Sequence, residues 1–194
     1  IQNNTIYSLT STAQQANVSD NVAVAGIRIN AATGAGLQVR GNTIHTIQSA
    51  ATTSTTSAGI LLTGGVQGHI RDNRIYNIRN TSASAQPVAA GVVVRSIGTA
   101  LYFYNNRISL GLETNGTNNT EQAIYTGVWN NLHDTDNLFL AFNSVHIGGQ
   151  ASGGMLKTYA FLQGDNPSAT IDVTLVNTPL QVYNNIFQNA RTNG

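Results

Sequence analysis

The chain has 194 residues, 41% hydrophobic and only 9% charged, with 9 Lys+Arg against 8 Asp+Glu and a formal net charge of +1. That length suits one domain or one slab of a larger protein, the near-neutral balance gives no electrostatic reason to expect nucleic acid or an anionic membrane as partner, and the absence of Cys excludes a disulfide framework or a thiolate metal site. Asn (24), Thr (23), Gly (19) and Ser (13) dominate, Lys occurs once, and no apolar run approaches a transmembrane helix, so a helical bundle is a poor fit and a β-rich chain remains.

Taken in order, the chain opens on a short motif, NNTI, at Asn3 to Ile6. A loop from Ser8 to Val24 leads to AGIRI (Ala25 to Ile29), then to LQVRGNTI (Leu37 to Ile44). A second loop, Ser49 to Thr56, leads to AGILL (Ala58 to Leu62) and GHIRDNRI (Gly68 to Ile75). A third, Asn80 to Val88, leads to AGVVV (Ala90 to Val94) and LYFYNNRI (Leu101 to Ile108). A fourth, Glu113 to Gln122, leads to TGVWN (Thr126 to Asn130), the turn HDTDN, and LFLAFNSV (Leu138 to Val145). A fifth, Gly148 to Lys157, leads to YAFLQ (Tyr159 to Gln163), and LQVYNNIF (Leu180 to Phe187) completes the series.

Each period therefore holds three strand signals: an AG-type strand, a strand before an aligned Asn, and a strand after it. The aligned asparagines are Asn4, Asn42, Asn73, Asn106, Asn143 and Asn185. Too few residues remain for an intervening helix, and one repeat cannot bury its apolar face alone. The expected fold is an all-β parallel β-helix of about five coils, one domain over residues 1–194, with strands stacked about 4.8 Å apart. A sandwich of antiparallel hairpins would show no fixed phase between motifs. The six asparagines are expected at a tight corner, where Asn tolerates a left-handed conformation and its amide joins a ladder along the axis.

Alternation sends Leu37/Val39, Leu101/Phe103, Leu138/Leu140 and the isoleucines after each Asn inward. The outward columns carry the functional candidates. Before the Asn they read Gln38, His69, Tyr102, Phe139, Gln181, and Arg40, Arg71, Tyr104, Ala141, Tyr183. After it they read Thr5, Thr43, Arg74, Arg107, Ser144, and Tyr7, His45, Tyr76, Ser109, His146. On the AG strand, Leu61, Val93, Trp129 and Leu162 form an apolar column where solvent should be. Cover from the preceding loops explains it; a binding groove floored by Trp129 is the sharper alternative. Tyr102, Tyr104 and Tyr183 are candidates for stacking on sugar rings, although Tyr is also an ordinary strand residue.

The coil with its Asn at a two-strand corner resembles the right-handed parallel β-helix of the pectin-lyase-like superfamily. The Thr/Asn/Gly-rich texture is similar to β-helix segments of large bacterial secreted and surface proteins. The resemblance implies a secreted or cell-surface location, with flanking coils or domains of a parent protein at either end; no signal peptide opens this chain. It also implies a substrate groove along one strand face in the superfamily's enzymes. Polygalacturonase-like sites resemble a trio of Asp with a Gly-His-Gly and an Arg-x-Lys. Here Gly68-His69-Ile70 lacks the second Gly, and no Arg-x-Lys exists. Pectate-lyase-like sites need carboxylates for Ca²⁺ and a basic residue, yet no two carboxylates of this chain fall at equivalent positions on adjacent rungs. Asp134 and Asp136 form the one close pair, which reads as solvated turn residues more readily than as a calcium site. No other cofactor is expected.

The sequence thus points to a structural or adhesive segment contacting polysaccharide or another cell surface. Two alternatives stay open. A polysaccharide-active enzyme would need Glu121, Asp134, Asp136 and Arg95 to converge beside Trp129. A self-associating module would pack its apolar Leu61/Val93/Trp129/Leu162 column against a second copy.

Overall fold

A computed structural model describes residues 1–14, 22–30, 36–53, 55–82, 86–131, 137–153, 156–164 and 180–193. In chain order the strands are β1 (Thr5–Ser11), β2 (Val22–Ile29), β3 (Leu37–Arg40), β4 (Thr43–Ser49), β5 (Thr56–Leu62) and β6 (Val66–Arg71). They continue with β7 (Arg74–Asn80), β8 (Val88–Val94), β9 (Ile97–Tyr104), β10 (Arg107–Leu110), β11 (Thr120–Glu121) and β12 (Ile124–Asn130). The last are β13 (Asn137–Ala141), β14 (Ser144–Ile147), β15 (Gln150–Ala151), β16 (Thr158–Gln163), β17 (Leu180–Tyr183) and β18 (Ile186–Asn189). No helix occurs among the described residues.

Three parallel sheets follow from this order. The AG strands form one in the order β16-β12-β8-β5-β2, and the strands before the Asn form another, β17-β13-β9-β6-β3. The strands after it form the third, β1-β4-β7-β10-β14-β18. Five stacked strands give four rung-to-rung steps, so the chain is an all-β parallel solenoid of about four turns. The register keeps motifs aligned: Ile44 pairs with Ile75, Ile75 with Ile108, and Ile108 with Val145. A two-stranded parallel pair, β11 with β15, joins two of the connecting segments.

The interior is the aliphatic column expected from alternation, with Val39, Ile44, Ile60, Ile70, Ile75 and Leu140 fully buried. The AG glycines set its width. A Cβ on Gly26 would lie 2.5 Å from Cγ2 of Ile44, and one on Gly59 would lie 2.5 Å from Cγ2 of Ile75. Glycine there lets the AG sheet approach the branched side chains of the sheet opposite. The strands also run further than the motif suggested. After a left-handed residue at Thr46 or Asn77, β4 and β7 continue and bury Ile47 and Ile78 in the same core.

The asparagine ladder is continuous. The side-chain Nδ2 of Asn4, Asn42, Asn73, Asn106 and Asn143 each donates to Oδ1 of the next, over 2.9–3.1 Å. Each backbone N–H donates to the same oxygen. The second amide hydrogen goes to a strand carbonyl, as from Asn106 to Ile70 O at 2.9 Å. The expected conformation needs correction, however. The left-handed residue is the one before each ladder Asn: Asn3, Gly41, Asp72, Asn105, Phe142 and Asn184, with φ between 49° and 65°. The ladder Asn keeps negative φ, which turns its side chain into the stack.

Candidate functional site

The outer face of the sheet built from β3, β6, β9, β13 and β17 carries the three tyrosines singled out by the sequence. Register places His69, Tyr102 and Phe139 directly above one another. Their rings stack, with centroids 5.0 Å apart for His69–Tyr102 and 4.7 Å for Tyr102–Phe139. Tyr102 is 39% exposed, but both of its ring faces are taken, so it offers solvent an edge. Tyr104 differs. It stands edge-on to His69, at 87° and 5.9 Å, and is therefore turned out of the stack. Its column continues through Ala141 to Tyr183. Tyr183 is 55% exposed, and its hydroxyl donates to Gln181 Oε1 at 2.8 Å. Tyr104 and Tyr183 thus flank a small residue, about 9.6 Å apart at the backbone by the strand spacing.

Trp129 is not part of this surface. It is 4% exposed and packs with Leu61, Val93 and Leu162, at 1%, 0% and 7%, in a second apolar cluster outside the AG sheet. Ala151 and Leu156, from the connecting segment after β14, belong to that cluster, as the covering-loop expectation required. The indole N–H donates to Gly164 O at 2.8 Å, and the Arg95 guanidinium lies 5.5 Å from the ring centroid. The column therefore floors no open groove, and it is not a free surface for a second copy.

Of the enzyme candidates, Asp134 and Asp136 lie outside the described residues. Glu121 is buried, its side chain 3% exposed. One carboxylate oxygen accepts from Arg79 Nε and the other from the Tyr125 hydroxyl at 3.0 Å. Arg79 also pairs with Glu113 at 3.1 Å. Burial works against the Arg79 charge, but the two carboxylates outweigh it and hold its pKa above the ordinary value. Burial, with Glu121 beside it, raises the Tyr125 phenol far above its ordinary range. Arg191 stacks on Tyr125 at 4.5 Å and donates to Glu121 O at 2.6 Å, while burial lowers its own pKa. This is a closed network that ties β11 to the core. Among the described residues, no three His, Asp or Glu side chains converge as metal ligands would.

A second outer face brings together residues that the sequence reading left unassigned. On the sheet of β1, β4, β7, β10, β14 and β18, the rings of Tyr7, His45 and Tyr76 stack, at 5.3 and 4.7 Å. Arg74 lies 4.7 Å from the Tyr76 centroid. Burial, and then the Arg74 charge, lower the His45 pKa. Beside this stack is a recess of about 150 Å³ lined by Arg74, Tyr76, Arg107, Ser109, Glu113 and Thr114, among others. The signal in the sequence was Arg74 and Arg107 standing in one outward column.

Compared with protein-family models, with curated proteins and with solved structures, the chain matches none.

Proposed function

We propose that this solenoid is a structural and adhesive segment of a secreted or surface-displayed bacterial protein, related to the pectin-lyase-like β-helices, and that it contacts glycans through Tyr104 and Tyr183. The observation that supports this is their arrangement: two tyrosines outside the ring stack, in one column with Ala141 between them, with Arg71 6.0 Å from the Tyr104 centroid on one side. A pyranose ring packs its C–H face on an aromatic face, and the small residue leaves it room. Stacked parallel sheets hold both tyrosines in place before any ligand arrives, which lowers the ordering cost of binding. The sparsely charged composition favours contact by stacking and neutral hydrogen bonds.

The test is a glycan array, followed by titration of any binder against the Tyr104→Ala/Tyr183→Ala double variant and against Tyr102→Ala. Loss of binding in the double variant, with much smaller loss in Tyr102→Ala, is the expected result. No binder on the array, or equal binding by the double variant, would sink the reading.

A further inference from the structure

We propose that the recess between Arg74 and Arg107 binds an oxyanion group (sulfate, phosphate or carboxylate, which share this geometry), gripped by the two guanidinium forks and seated against Tyr76. The site lies on a different sheet from Tyr104 and Tyr183 and does not depend on the glycan reading.

Arg107 of β10 pairs directly with Arg74 of β7, so two like charges stand on adjacent rungs in one column. Like charges facing each other across a sheet are unfavourable. The chain has only nine basic residues, so placing two of them together is costly without a compensating group. Among the described residues, no carboxylate forms an ion pair with either. Glu113, the one acid lining the recess, is held by Arg79 at 3.1 Å. Asp72, two residues before Arg74 in the chain, is paired with Arg71 at 2.7 Å.

Arg74 is held in place as well. It lies over the Tyr76 ring, and that ring is braced by the stack through His45 to Tyr7. A guanidinium stacked on an aromatic keeps its N–H edge free to grip an oxyanion with two parallel bonds. Ser109, in the column of Tyr76, and Thr114 add hydroxyl donors at the rim. Burial lowers the His45 pKa first, and the Arg74 charge adds to it, so the ring lies within the field of Arg74. About 150 Å³ accommodates one such group together with part of the body that carries it.

The test uses the full chain with inorganic sulfate, inorganic phosphate, acetate, glucuronate and glucose 6-sulfate, at constant ionic strength against chloride. Calorimetry measures affinity, and NMR follows the His45 ring. Saturable binding is expected, with the His45 pKa rising as bound anion offsets the Arg74 charge. Arg74→Gln/Arg107→Gln should weaken binding by roughly tenfold or more. Arg107→Lys keeps the charge but loses the fork, and should lose part of the affinity even if the double variant folds poorly. Without anion, Arg107→Gln should melt no lower than the parent, since it relieves a like-charge pair; a residue kept only for structure would melt lower. Tighter binding of the sugar-borne groups than of the free ions would place the anion on a saccharide, and equal binding would make the ion itself the ligand. Shifts identical in sulfate and chloride, or affinity unchanged in the double variant, would overturn the proposal.

Discussion

Asn106 gives both its backbone N–H and its side-chain Nδ2 to a single atom, Oδ1 of Asn143, at 3.0 Å each. Its own Oδ1 accepts the same two donors from Asn73. Removing the amide therefore strands buried groups on both neighbouring rungs, and unmet buried donors cost about 1–3 kcal/mol each. Asn106→Ala should lower stability by about 3 kcal/mol or more, whereas Asn185→Ala, at a partly exposed position, should cost about 1 kcal/mol. Urea unfolding midpoints of the two variants test this, and equal losses would contradict the ladder as a cooperative element.

Tyr125 makes the solenoid sensitive to alkali. Burial, and the Glu121 carboxylate that accepts its hydroxyl proton, keep the phenol protonated in the native state well above its ordinary pKa. The unfolded phenol ionises near pH 10. The native state thus holds the proton more tightly, and the resulting stability is complete below about pH 10 and lost as pH rises beyond it. Tyr125→Phe should flatten that decline while costing about 1–2 kcal/mol at neutral pH, because Glu121 Oε2 loses its donor. Burial also raises the Tyr159 pKa, so a smaller slope should persist. Melting temperatures of parent and variant between pH 8 and 11 are the measurement.

Asn130 is a polar intrusion into the core. It pairs in register with Val94, which pairs with Leu62, so it occupies an inward apolar column and is fully buried. Neither its Oδ1 nor its Nδ2 meets a protein partner. Replacing an unsatisfied buried amide by an apolar group of similar size removes its desolvation cost. Asn130→Val should therefore raise stability by about 1–3 kcal/mol. A lower denaturation midpoint in this variant would show that the amide performs a task in the fold.

The rungs were readable from the sequence because their periodicity has a strong physical cause. Ile44, Ile75, Ile108 and Val145 recur at one position since each must fill the same slice of one shared core. The corner was harder. Asn3–Asn4, Asn105–Asn106 and Asn184–Asn185 are Asn pairs in which either residue suits a left-handed turn; Gly41 before Asn42 was the clue to the first. Phe142, a bulky residue at φ 57°, gives no such clue. Alternation failed across Gly127. There Tyr125 and Val128 both face the core although an odd interval separates them, while the register with β8 keeps one offset on either side. The Tyr102 candidate failed for another reason: pattern shows which face a ring is on, but the neighbours one rung away decide whether its π surface is free. The Arg79–Glu121 pair spans 42 residues across a connection of variable length, and no fixed spacing announces it.

The interval between successive ladder asparagines ranges from 31 to 42 residues, yet the bond between them changes by only 0.2 Å. All the slack is taken up outside the rungs. The ladder works like the teeth of a rack: whatever length of chain runs between two teeth, the next strand meshes at the same height and with the same face inward. Connections can then lengthen, shorten or change composition over evolutionary time without moving Arg74 relative to Arg107 or Tyr104 relative to Tyr183. One part of the molecule holds position, and another is free to vary.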